Sequence, residues 1–272
     1  MTFELAIATM YKTKEQCLEM LKNENIHCDC IIINQCDIED YVEEKIGGQN
    51  IRIFFSKERG LSKSRNMALR NLQADIIAIA DDDLYYYDDF DKIVLHYYDN
   101  NPGADIVLFN IDNYEKKYYE KSHRCGRFEL SGYISMQITF TKKFISQAGI
   151  HFNELFGTGS GFFSNGEECI FLANCYSARA KIFYCANKIL NRPEAESTWF
   201  NGFDVDYLKS KGAIYYAMSK WLFLPYILRF AFFKRKLVKS CSLYRALCLM
   251  MEGKKEYLLL LKNQNLKKIM NF

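Results

Sequence analysis

Short apolar runs alternate with amphipathic stretches over roughly the first 110 residues of this chain. Leu5 to Thr9 reads as a strand, and the segment from about Thr13 to Asn25 sets Cys17, Leu18 and Leu21 at helical spacing behind a Thr13 cap. Cys30 to Ile33 gives a second strand ending at Asn34-Gln35, and Ile51 to Phe55 a third ending at Ser56. Ser62 opens a helix that runs to about Asn71, and Asp75 leads into the apolar run Ile76-Ile77-Ala78-Ile79-Ala80. A helix from about Asp89 to Asp99, the turn Asn101-Pro102-Gly103 and a strand from Asp105 to Asn110 complete the pattern. Strands alternating with helices in this way predict an open, mostly parallel sheet with right-handed crossovers.

From about Tyr114 the pattern loosens. Added strands are expected there, including Tyr133 to Phe140, and a helix begins near Thr141. Gly157, Gly159, Gly161 and Gly166 mark a loop able to approach a ligand closely. Lys181 to Cys185 reads as the last strand, and the chain from Asp204 onward is mainly helical. No internal repeat or low-complexity segment interrupts it.

The ligands of such sheets bind at the carboxyl ends of the strands. Thr9, Asn34, Gln35 and Ser56 lie at those ends, and so does the triplet Asp81-Asp82-Asp83, directly after the most apolar run. Three carboxylates there repel one another by about 4 kcal/mol per pair at 4 Å and an effective dielectric near 20, so a folded chain needs compensation. A divalent cation fits, and hard oxygen donors suit Mg2+ or Mn2+ completed by phosphate and water. A solvated acidic turn or a helix cap is the plainer alternative.

Composition narrows the classes. With 272 residues, 49% of them apolar, and three prolines, the chain suits a compact fold and not a disordered one. A net charge of +3 is too small to imply a nucleic-acid partner. Ten cysteines sit mostly inside apolar runs and no hydrophobic leader opens the chain, so reduced thiols and a cytoplasmic location are expected. Cys28, Cys30 and Cys36, with His27 nearby, suit buried structural thiols better than a zinc site. Trp221 to Phe233 is too short for a membrane span, which takes about 20 residues. Followed by Lys234-Arg235-Lys236, it leaves a core helix and a segment lying on the inner membrane face (221–239) both open.

Three segments resemble the family 2 glycosyltransferases over about residues 3 to 200: Gly60-Leu61-Ser62-Lys63-Ser64-Arg65-Asn66-Met67-Ala68-Leu69, Asp81-Asp82-Asp83, and Gly166-Glu167-Glu168. The resemblance implies an α/β fold of the GT-A type, an open, mostly parallel sheet flanked by helices, with a helical C-terminal extension. It divides the chain into a GT-A domain over 1–203, with a nucleotide-sugar half (1–112) and an acceptor-side half (113–203), and an extension over 204–272. It further implies transfer from a nucleotide-sugar donor, a UDP-sugar first, to a hydroxyl of a glycan or lipid-linked glycan, with inversion and with Mn2+ or Mg2+.

The same resemblance suggests roles. Arg65 would face the diphosphate, with Ser62 and Asn66 offering hydrogen bonds beside it. Asp83 would touch the metal and Asp81 the metal or the nucleotide, with Asp82 able to exchange roles with either. Glu168 stands at the position of the general base, Glu167 being the alternative because a Glu replaces the commoner Asp. Two departures stand out. Asn34-Gln35-Cys36-Asp37 replaces an acidic pair that contacts the base, although amides also bond a uracil edge. Arg192 stands near a usual metal-binding His and is read as a diphosphate partner. Trp199 and Phe162-Phe163 are candidates for stacking on sugar rings. Rival readings are a sugar nucleotidyltransferase, whose early Gly-rich phosphate loop is not evident near Thr9, and a catalytically inactive nucleotide- or sugar-binding module.

Overall fold

The structure, a computed structural model, describes residues 1–112, 119–191, 204–234 and 242–270. In chain order the strands are β1 (Phe3–Met10), β2 (Asp29–Gln35), β3 (Asp40–Ile46), β4 (Gln49–Ser56), β5 (Ile76–Ala80), β6 (Tyr85–Tyr86), β7 (Ile106–Asp112), β8 (His123–Arg124), β9 (Ile138–Thr141) and β10 (Ile182–Asn191). The helices are α1 (Lys14–Asn23), α2 (Leu61–Arg70), α3 (Phe90–Asn100), α4 (Lys142–Ala148), α5 (Glu167–Ser177), α6 (Val205–Met218), α7 (Phe223–Lys234) and α8 (Leu243–Met270).

All ten strands join one sheet, in the order β3-β4-β2-β1-β5-β9-β7-β10-β6, with β8 alongside β10. The expected parallel arrangement holds for β4, β2, β1 and β5, and again for β7 with β10. Antiparallel β9 is inserted between β5 and β7. Side chains alternate between two buried faces, which is why these strands read as unbroken apolar runs. Leu5, Ile7 and Ile32 join one core with Val94 of α3, whereas Ala6, Ile31, Ile33 and Ile77 join another with Ala68 of α2 and Phe171 of α5.

Local chemistry sets the helix starts. Thr13 caps α1 in a capping box with Gln16: its hydroxyl accepts from the Gln16 N–H at 3.3 Å, and the Gln16 side chain accepts from the Thr13 N–H at 2.8 Å. Thr141 caps α4 in the simpler way, accepting from the Phe144 N–H at 3.3 Å. The ionised pair Glu4–Arg52 is buried, and Arg52 also donates to the Asn71 carbonyl at 2.7 Å, so β1, β4 and the end of α2 are tied together.

Three boundaries differ from expectation. Strand β3 was not foreseen because Asp40–Ile46 is polar and exposed; its signal is the Gly47-Gly48 turn, with φ of +59° and +90°, which folds it back on β4. The stretch Tyr133 to Phe140 is a strand only from Ile138, since a 3-10 turn over Ser135–Gln137 bends the chain beforehand. The last strand extends past Cys185 to Asn191, with register shifts against β7.

The C-terminal helices pack onto the sheet domain through α6, which lies against α5 and α8. One face of the stretch Trp221 to Phe233 is core: Phe223, Tyr226, Ile227, Phe230 and Ala231 are buried. Where α6 crosses α8 the backbones touch. A Cβ on Gly212 would lie 1.9 Å from the Met250 carbonyl oxygen, and one on Gly253 would lie 1.9 Å from that of Lys209. Alanine favours a helix over glycine by about 1 kcal/mol, but forcing two backbones apart costs about 1–3 kcal/mol in an already packed interface. Gly212→Ala is therefore expected to lower the urea midpoint; an unchanged or higher midpoint would show that the crossing is loose.

Candidate active site

The carboxyl ends of β1, β2 and β5, the start of α2, the turn before β9 and the Gly-rich loop enclose a cleft of about 630 Å³. Register brings its wall together: Thr9 pairs with Asn34, Gln35 with Ser56, and Ala80, just before the triplet, with Ile7. Thr9, Gln35, Arg65, all three aspartates of the triplet, Glu167 and Glu168 line the cleft.

Each member of the triplet has a different setting. Asp81 accepts from Arg65 at 2.9 Å through one oxygen and from the Ser135 hydroxyl at 3.0 Å through the other. The Oδ2 of Asp82 takes the Thr9 hydroxyl and, at 3.1 Å, the Lys12 ammonium. Asp83 is the exposed member. Like-charge repulsion is thus relieved at Asp81 and Asp82 by protein cations and hydroxyls. Asp83 lines the cleft together with Asp81 and is the more exposed of the two.

Arg65 is buried, 5% exposed, and its two terminal nitrogens reach Asp81 and Glu167, each at 2.9 Å. Its guanidinium also lies 5.5 Å from the centre of the Phe152 ring. Burial disfavours its charge, but Asp81 and Glu167 outweigh that and raise its pKa above the ordinary value. Arg65 therefore binds α2, the triplet and the first turn of α5 into one unit.

Gly166, at φ +91°, caps α5 and delivers Glu167 and Glu168 to the cleft. The two carboxylates differ in setting. Glu167 is buried against Arg65, and Gly157 gives it room, since a Cβ there would lie 3.2 Å from the Glu167 carboxyl carbon. Glu168 is half-buried, and desolvation, followed by the Glu167 charge, pushes its carboxyl up to about 8. A carboxyl poised near the working pH can exchange a proton with a bound hydroxyl.

Several expected residues stand outside the cleft wall. Asn34 is fully buried and exchanges hydrogen bonds with the backbone of Lys12, accepting at 3.2 Å and donating at 2.6 Å. Ser62 donates to the Phe156 carbonyl at 2.6 Å. Asn66 donates to the Phe152 carbonyl and Glu154, both at 3.0 Å, and accepts from the Phe152 N–H at 2.7 Å. These three shape the loops that carry the site. Arg192 and Trp199 lie outside the described residues.

Other residues at the site went unforeseen. Lys12 follows β1 closely enough to have been suspected. Ser135 could not have been, because its contact with Asp81 depends on β9 pairing with β5. Arg59 lines the cleft, pairs with Asp37 and lies 5.2 Å from the Tyr11 ring; its place beside Gly60 was the available signal. The ligand atoms of His123, Cys125 and Glu129 lie within 4.8 Å of one another, but none of the three lines the cleft; His123 is 3.2 Å from Glu129. Cys28, Cys30 and Cys36 are buried free thiols, as their apolar surroundings predict.

An acidic rim at the carboxyl ends of such a sheet, facing a carboxyl pair on a later helix, suits a glycosyltransferase of the GT-A fold, and the family match bears that class out. The sequence model described as Glycosyl transferase family 2 matches residues 11–165, and the chain belongs to that family. TarS of S. aureus, in a structure of its residues 1–349, has a similar fold with a TM-score of 0.61 at 14% identity, covering 93% of this chain and 81% of that one. The same TarS fragment in complex with UDP-GlcNAc aligns with a TM-score of 0.56 at 13% identity, over 95% of this chain and 72% of that one. The mannosyltransferase PcManGT from Pyrobaculum calidifontis, in complex with GDP-Man and Mn2+, aligns with a TM-score of 0.52 at 9% identity, over 92% and 73%. No curated protein sequence matches the chain.

Removing one partner of a buried ion pair strands the others, at about 3–5 kcal/mol. Arg65→Met should destabilise the protein by about 3 kcal/mol in urea unfolding at neutral pH, since Asp81 is partly exposed. A urea midpoint that does not fall would show that neither ion pair of Arg65 contributes to stability.

Proposed function

We propose that the protein transfers a sugar from a nucleoside diphosphate donor, a UDP-sugar first, to a hydroxyl of a glycan or lipid-linked glycan, with inversion at the anomeric carbon. The observation that carries this reading is one cleft holding both the Asp81–Asp83 rim and, across Arg65, a half-buried Glu168 whose carboxyl sits near 8. Support comes from the family, and from similar folds in complex with UDP-GlcNAc and with GDP-Man.

Gln35 and Thr9 lie where the nucleotide would rest, and the Gln35 amide, which donates to the Gly60 carbonyl at 3.1 Å, keeps its oxygen for the edge of a base. Arg59 supplies a cation on the same wall for the diphosphate. Asp83, with Asp81 beside it, would hold Mn2+ or Mg2+, which when bound stabilises charge on a departing nucleoside diphosphate. Glu168 accepts the proton of the acceptor hydroxyl as its oxygen bonds to the anomeric carbon and the bond from that carbon to the diphosphate oxygen breaks. Arg65 takes a positioning role, holding Glu167 so that Glu168 faces the acceptor. A nucleotidyltransferase is less well served: β1 ends at Met10 and Tyr11-Lys12 follow, with Lys12 paired to Asp82, where a Gly-rich phosphate loop would be needed.

Asp83→Ala should abolish metal-dependent UDP binding in calorimetry, and undiminished binding would reject the metal assignment. Glu168→Gln should keep donor binding and lose about 10²–10⁴-fold in transfer. Because the base form of Glu168 appears only as pH rises through about 8, the transfer rate of the wild type should climb through that range. The Glu168→Gln variant should lack that limb; a profile unchanged by the substitution moves the base elsewhere.

A further inference from the structure

Helix α7 is apolar on both sides. Opposite its buried face, Leu224, Leu228 and Phe232 recur at helical spacing, with Trp221 just before the helix and Phe233 at its end. All five are exposed, Trp221 by 82% and Phe232 by 79%, and Tyr244 at the start of α8 is exposed by 78%. A single surface leucine needs no explanation, whereas a stripe of large apolar side chains marks a contact. No described helix is long and apolar enough to cross a membrane, so the stripe is not part of a span.

Charge selects the occupant. Between Asp206 and Glu252 the sequence contains no acidic residue, yet it carries Lys211, Lys220, Arg229, Lys234, Arg235, Lys236 and Lys239, besides Lys209 and Arg245, which pair with Glu252. Lys220 and Arg229 flank the stripe, with the Lys220 ammonium 5.3 Å from the Trp221 ring and the Arg229 guanidinium 5.0 Å from that of Phe233. Neither has an ion pair among the described residues. A second copy of the same face would set cation against cation, at a cost of several kcal/mol where like charges meet. A bilayer bearing anionic headgroups satisfies both features, taking indole and phenyl rings at the headgroup boundary and cations at the phosphates.

We propose that the outer face of α7, with Trp221 and Tyr244, rests on an anionic lipid surface. The inference stands on exposure and charge, independently of the reaction assigned to the cleft. If both hold, the acceptor is presented at that surface, because α7 packs on α6 and α6 on the helix that bears Glu168.

Flotation of the full chain with phosphatidylcholine vesicles, and with vesicles that also contain phosphatidylglycerol, tests this. The wild type should float with the anionic vesicles, about tenfold more weakly with the neutral ones, and less in high salt. Trp221→Ser combined with Leu228→Ser and Phe232→Ser should abolish flotation while leaving the thermal melt and UDP binding unchanged, since all three side chains are exposed. Arg229→Glu, which leaves every apolar side chain in place, should selectively weaken the anionic preference. A wild type that stays at the bottom of the gradient overturns the proposal. So does equal flotation of the triple variant, or a dimer in light scattering that the triple variant dissolves without any vesicle binding.

Discussion

One guanidinium holds the site together. Arg65 lies at 2.9 Å from both Asp81 and Glu167, residues that approach it from β5 and from α5, 86 positions apart in the chain. Alone, each carboxylate would lose hydration at the cleft wall without an equivalent return, and so would the cation. Together they make a fixed reference on which the aspartate rim and the Glu167–Glu168 turn are both hung. Fixing Glu167 also raises the cost of ionising Glu168 beside it, so the same contact that orders the site helps to set its proton affinity.

The rim gains its geometry from the sheet. Parallel β1, β2 and β5 present Thr9, Gln35 and the aspartates at one edge, and β9, running the opposite way, brings Ser135 to the far oxygen of Asp81. Lys12 and Thr9 serve Asp82 from the other side. Asp81 and Asp82 are therefore held by named protein partners, and Asp83 is the exposed member of the three. An acidic rim of this kind is preorganised: few side chains need to be ordered when a charged ligand arrives.

The central strands and their mostly parallel pairing were legible because each is apolar over its whole length, and residues that line the cleft were legible where they are adjacent in sequence, as in Asp81-Asp82-Asp83 and Glu167-Glu168. Contacts between distant segments were not. Nothing at Ser135 advertises an aspartate 54 positions earlier, and the serine and asparagine at the start of α2 look equally suited to a ligand or to a carbonyl until burial decides. Strand β3 escaped notice because an exposed edge strand carries no apolar alternation. The stretch around Trp221 was undecided in the sequence because it has two faces, one in the core and one in solvent.

Gly166 carries a last implication. A Cβ at that position would lie 2.4 Å from the tip of Ile214, so the residue immediately ahead of the two glutamates is moulded by the C-terminal helices. A protein trimmed just before α6 would retain its aspartates and both glutamates yet lose the buttress behind Gly166. Sequence changes in α6, far from any nucleotide contact, thereby gain a direct mechanical route to the aim of Glu168.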